Sequence, residues 1–184
     1  IKWTAVLKGD GTQQVTLNSV ELGSNSDVTA PGANASDIVA AKSNGGSALS
    51  SGAWTNGSSP YFSWTAGTDA GAGILGYCLY LGQSSSDDPV SSKGLLGTGT
   101  LDVGSSCQFA VAGTNLDLAT AGLLGTALTS SSSNYYLNIK AIDRAGNVAS
   151  SSEQFSFRFD NTAPNNPGYA SAPSGFINTK TATI

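Results

Sequence analysis

From Tyr135 the chain is apolar at every second position, through Leu137, Ile139 and Ala141. A turn of Asp143-Arg144-Ala145-Gly146-Asn147 follows, and Phe155, Phe157 and Phe159 then alternate back. A period of two turns one face of an extended strand toward a core, whereas a helix would scatter the same residues around its axis. The segment therefore reads as an antiparallel hairpin whose two strands share a buried face.

Other segments follow the same grammar. Pro60 precedes the short strand Tyr61-Phe62-Ser63-Trp64, and the loop Thr68-Asp69-Ala70-Gly71-Ala72-Gly73 leads into Ile74 to Leu81. In that run Leu75, Tyr77, Leu79 and Leu81 fall on one face and Ile74, Cys78 and Tyr80 on the other, as expected of a central strand covered on both sides. Cys107-Gln108-Phe109-Ala110-Val111 also alternates. Leu116 to Leu128 is rich in Leu and Ala, and a turn or two of helix is possible there. Gly113, Gly122 and Gly125 oppose a long helix, so the segment is treated as a connector. Six or seven short antiparallel strands make the expected fold an all-β sandwich.

Composition narrows the setting. Charged residues make up 11% of the chain, against about 25% in an average soluble protein, and Ser, Thr, Gly and Asn take their place as on many secreted surfaces. Hydrophobic residues at 39% suffice for a packed core and exceed what a disordered chain carries. The eight basic residues are scattered singly in a chain of net charge −4, which argues against a nucleic-acid partner and against an anionic membrane surface. No run approaches the roughly 18 to 20 apolar residues of a membrane span. Ile1 opens the chain without a signal-peptide pattern, so the segment is expected to be internal or already processed. The chain has no His to join Cys78 and Cys107 in a metal site. A Cys78–Cys107 disulfide is the favoured reading, in keeping with an oxidising, extracellular compartment, and a pair of buried free thiols is the alternative.

One motif returns. Asp27-Val28-Thr29-Ala30-Pro31 reappears 133 residues later as Asp160-Asn161-Thr162-Ala163-Pro164. A fixed period implies a tandem array punctuated by this linker, in which Pro stops the preceding strand from continuing. The expected organisation is the final strands of a preceding repeat at 1–26, a complete domain at 27–160, and a linker with the first strand of the next repeat at 161–184. Within 1–26, Trp3, Ala5 and Leu7 alternate before the turn Gly9-Asp10-Gly11, and Val15 and Leu17 after it. Such a hairpin is not stable alone.

The stretch Tyr135-Tyr136-Leu137-Asn138-Ile139-Lys140-Ala141-Ile142-Asp143-Arg144-Ala145-Gly146-Asn147 resembles the penultimate strand and turn of bacterial immunoglobulin-like and fibronectin type III-like repeats. Trp64, Asp69, Gly73-Ile74-Leu75-Gly76-Tyr77 and the linker Asp160-Asn161-Thr162-Ala163-Pro164 are similar to the same families. The likeness covers 60–81, 135–164 and 27–31 and leaves 82–134 unmatched. It implies an immunoglobulin-like sandwich from a large adhesin-type cell-surface protein, in which arrays act as stalks, and it brings no catalytic residues. Tyr135 would be the corner tyrosine of such a sandwich, its hydroxyl bonded to nearby backbone, and Trp64 a core residue between the sheets.

Sandwich topology also gathers acidic residues. The linker before the first strand, the turn after Trp64 and the turn after Ala141 belong at one pole, which places Asp27, Asp69, Asp143 and Asn147 together as oxygen ligands suited to Ca²⁺. The competing reading makes each Asp a turn cap bonded to its own backbone. Asp160 is the counterpart of Asp27 for a following repeat. Asp87-Asp88 is expected in a solvated loop, since adjacent residues of an extended chain point apart and cannot act as a glycosidase pair. Without His, a Ser nucleophile lacks its usual base. Trp54, in the polar loop Ser51-Gly52-Ala53-Trp54-Thr55-Asn56-Gly57, is a candidate for stacking on a sugar, or for packing at the domain edge. Asn34-Ala35-Ser36 and Asn56-Gly57-Ser58 fit the N-glycosylation pattern.

The expected function is a non-enzymatic, extracellular structural and adhesive repeat whose partners are neighbouring repeats or copies, or a host-cell or glycan surface. Two alternatives stand beside it. One is a subunit of a fibre assembled by β-strand exchange. The other is a carbohydrate-binding accessory module of a secreted enzyme.

Overall fold

A computed structural model describes residues 27–32 and 34–168. The hairpin expected within 1–26, and most of the strand expected near the carboxy terminus, lie outside the described residues. Among the described residues nine strands and no helix are found: β1 (Ser36–Ala41), β2 (Ala48–Leu49), β3 (Trp54–Thr55), β4 (Tyr61–Thr65), β5 (Ile74–Gly82), β6 (Ala110–Val111), β7 (Asn115–Asp117), β8 (Tyr135–Asp143) and β9 (Glu153–Phe159). Among the described residues no helix is long and apolar enough to cross a membrane.

The strands form two sheets, ordered β2-β1-β4-β7 and β3-β9-β8-β5-β6. Every pairing is antiparallel except β3 with β9. Aromatic contacts join the sheets face to face. The Phe62 ring of β4 lies 5.8 Å from Phe155 and 5.9 Å from Phe157 of β9. Trp64 of β4 meets Tyr77 of β5 edge-on at 5.3 Å. Leu137, Ile139, Phe157 and Phe159 are fully buried between the sheets, as their period-two spacing requires.

The structure departs from the sequence reading of β5 at its start. A register shift between Ile74 and Gly76 interrupts the alternation. Ile74 consequently packs on the main core, and Leu75 joins the outer cluster around Cys78, Cys107, Ala110 and Ile142. A bulge inserts one residue and exchanges the faces of those before it. The segment beginning at Leu116 is not helical. Leu116 lies in β7, opposite Phe62 and fully buried, and turns follow it. Of the expected strand 107–111, only Ala110–Val111 has ladder geometry, although Leu79 N–H still donates to Phe109 O at 3.0 Å.

The long segment between β5 and β6 covers the outward face of the second sheet. Cys107, near its end, is joined to Cys78 of β5, with Cα atoms 5.9 Å apart. Asn138 Nδ2 donates to Asp87 O at 2.7 Å, and Lys140 Nζ sits 2.7 Å from Asp88 Oδ2. Asp88 is therefore a partner for a buried lysine rather than a wholly solvated loop residue. Gly94 fits this layer through its left-handed φ of 59°, and a Cβ there would run into the carbonyl of Leu81.

Candidate functional site: the acidic pole

Residues 27–32 lie at one end of the sandwich, where the β4–β5 loop and the β8–β9 turn also lie. Asp27 begins with an Asx turn, its Oδ1 accepting the Thr29 N–H at 2.9 Å. Its Oδ2 reaches across the pole to accept the Ala72 N–H at 2.7 Å. Gly71 permits this approach, because a Cβ at that position would lie 2.6 Å from Asp27 Cγ.

Asp69 organises its own loop. Its Oδ2 accepts N–H groups from Gly71 at 3.1 Å and Gly73 at 2.7 Å. Asp143, at the end of β8, is fully buried. Its Oδ1 accepts the N–H groups of Ala145 and Asn147, both at 2.8 Å, and its Oδ2 accepts the Asn147 side-chain amide at 2.8 Å. The same amide nitrogen lies 3.0 Å from Asp27 O and 3.3 Å from Thr29 O. Asn147 thus ties residues 27–29 to the β8 turn, while Asp27 ties them to the β4–β5 loop.

Carboxylate oxygens of Asp27, Asp69 and Asp143 all lie within 4.8 Å of one another. Among the described residues the one ion pair is Lys140–Asp88, so none of the three carboxylates is ion-paired, although the Arg144 guanidinium lies beside Gly73 at the edge of the cluster. The N–H of Thr29, and after it that of Ala72, hold the Asp27 carboxyl below its ordinary pKa. The three carboxylates are hard oxygen donors that match the chemistry of Ca²⁺, and each also performs the backbone capping of the competing reading. Asn147, expected as a fourth oxygen ligand, instead turns its amide nitrogen to Asp143 Oδ2 and the Asp27 and Thr29 carbonyls.

At the opposite pole the recurring Asp-x-Thr-Ala-Pro motif repeats its local structure. Asp160 Oδ1 accepts the Thr162 N–H at 2.8 Å, the same turn made by Asp27 and Thr29. The Thr162 N–H, and then the Ser130 hydroxyl, lower the Asp160 pKa.

The remaining singled-out residues fall as follows. Trp64 is buried, and its Nε1 has no hydrogen-bond partner among the described residues. The Tyr135 hydroxyl donates to Thr129 O at 2.8 Å, and the Thr129 N–H donates to the hydroxyl oxygen at 3.1 Å. Trp54 is not in a loop, since β3 pairs with β9 and places Trp54 opposite Arg158. Its indole is 50% exposed, with the Arg158 guanidinium 5.5 Å from the ring centroid. Asn34 is no free glycan acceptor: its Nδ2 donates to Ile139 O and Ser151 O, and its Oδ1 accepts the Ala141 N–H at 2.7 Å. Sequence reasoning missed the roles of Asn34, Gly71 and Arg158. The sole available signal was the nearness of Asn34 and Gly71 to residues already singled out.

Comparison with protein-family models, with curated proteins and with solved structures finds no match to this chain.

Proposed function

We propose that the chain is a non-enzymatic structural and adhesive repeat of a bacterial cell-surface protein, an immunoglobulin-like sandwich in an extracellular tandem array. Its work is reach and stiffness. The observation that carries this reading is the double fastening of the entering linker, by Asp27 to Ala72 and by Asn147 to Asp27, together with the same Asp-x-Thr turn at Asp160. A linker bonded to two loops of the domain it enters transmits bending and tension into the sandwich instead of swivelling. The disulfide accords with an oxidising compartment.

Ca²⁺ is the proposed stiffener of this joint, held by Asp27, Asp69 and Asp143 with the Asn147 side chain beside them. Three mutually close carboxylates that form no ion pair repel one another, and a divalent ion relieves that repulsion. The test is thermal unfolding of the 184-residue chain in millimolar Ca²⁺ and then in chelator. At about 100 times Kd, an ion bound to the native state alone adds about 2.7 kcal/mol. The expected result is a midpoint rise of roughly 5–10 °C that chelator reverses and Asp69→Asn diminishes. An unchanged midpoint would reduce the three carboxylates to turn caps.

The strand-exchange alternative draws less support from the described domain. Its sheets end in β2, β3 and β6 of two residues each and β7 of three, too short to template a long incoming strand.

A further inference from the structure

Trp54 and Trp64 differ in kind. Trp64 is a core residue, whereas Trp54 opens onto a cleft of about 410 Å³ at the pole opposite the acidic cluster, lined by Lys42, Trp54, Thr55, Asn56 and Asp160. The strand that carries the indole is anchored. β3 is bonded to β9 through Arg158 N–H to Ala53 O at 2.9 Å and Asp160 N–H to Thr55 O at 3.0 Å. The Arg158 guanidinium covers the ring, and its Nε donates to Asn134 Oδ1 at 2.9 Å. The backbone pairing and the guanidinium over the ring restrain the indole, which reduces the conformational entropy lost on stacking.

The chemistry around the ring selects the ligand. The indole is the one broad apolar surface of the cleft. Lys42 supplies ammonium donors, Asn56 an amide with donors and an acceptor, and Asp160 carboxylate acceptors. The one cation and one anion cancel, and Asp160 would repel a phosphate or an acidic peptide. A hydrophobic peptide would find a single apolar contact. A pyranose ring answers both features, because its axial C–H groups suit the electron-rich indole face and its equatorial hydroxyls need donors and acceptors at the rim.

We propose that this cleft is a carbohydrate-binding site for a neutral hexopyranose unit, with Trp54 as the platform, Asn56, Asp160 and Lys42 as hydroxyl partners, and Arg158 as a positioning residue. The site is independent of the acidic pole and would operate whether or not that pole takes Ca²⁺. An open cleft of this size should hold a single sugar weakly, with Kd on the order of 1 mM.

The test titrates the intact 184-residue chain with methyl glycosides of glucose, galactose, mannose and N-acetylglucosamine and with their β- and α-linked oligomers, following the indole N–H resonances by NMR. At least one saccharide should shift the Trp54 indole saturably and leave the Trp64 indole in place. Trp54→Ala should abolish binding, Asn56→Ala should weaken it several-fold, and Arg158→Lys should weaken it while the backbone spectrum stays unchanged. No shift of the Trp54 indole with any of these sugars at 20-fold the expected Kd, or equal affinity in Trp54→Ala, would overturn the proposal.

Discussion

β8 outruns β9: its last pairing with that strand is Ile139 with Glu153, and beyond it the backbone needs other partners. The Asn34 side chain supplies them, accepting from Ala141 and donating to Ile139, as a strand's own peptide group would. Asn34→Ala leaves the Ala141 N–H unpaired at a fully buried position, so a loss of about 1–3 kcal/mol is expected in urea unfolding, with an unchanged slope. Gly71 is the complementary case, where the absence of a side chain is what matters. Gly71→Ala drives a methyl against the Asp27 carboxylate. The expected outcome is about tenfold faster amide exchange at Ala72, the donor that Asp27 would abandon, while amides of β8 keep their protection.

At the scale of elements, the strap between β5 and β6 is held by one disulfide, one ion pair and hydrogen bonds such as Asn138 Nδ2 to Asp87 O. The Cys78–Cys107 link spans 29 residues, and closing a loop of that length in the unfolded chain corresponds to about 3–4 kcal/mol. Reduction should lower stability by that order in denaturant melts without abolishing the two-sheet core, which lies on the other face of β5. What the sequence made legible here divides along a physical line. Regular alternation at 135–141 and 155–159 located β8 and β9, and the two cysteines located the tie, because both signals are local or paired by chemistry. The short strands β3 and β7 rest on partners distant in the chain, so Trp54 and Leu116 carried no local pattern to reveal them. Lys140 is the sharpest case. A lysine between Ile139 and Ala141 belongs to the outward face by period, yet it is buried because the strap covers that face and Asp88 meets it. The acidic pole, in contrast, was legible once a sandwich was assumed, since topology alone gathers the three turns.

For the whole molecule, acid should be the condition that discriminates. The chain has no histidine, so no side chain carries an unperturbed pKa between pH 5 and 8, and stability should be flat across that window. Below it, three carboxyls in different places act together, Asp27 at the acidic pole, Asp88 on the strap and Asp160 at the opposite pole. At Asp88, burial pushes the pKa up, but the Lys140 hydrogen bond, the Val90 N–H and the Lys140 charge outweigh it and leave the pKa below 3.8. Asp160 is lowered by the Thr162 N–H and the Ser130 hydroxyl. A carboxyl whose folded pKa is depressed stabilises the native state fully above its unfolded pKa and loses that contribution as pH falls through the folded value. Stability measured by urea titration should therefore hold down to about pH 4 and decline below it. Asp88→Ala should lower stability by about 1–2 kcal/mol at pH 7, because the buried Lys140 ammonium loses its partner. The difference between variant and parent should narrow as pH falls below 4, where the parent's carboxylate is itself protonated. A difference that stayed constant from pH 7 to pH 2 would mean that Asp88 acts through packing of the strap and not through its charge.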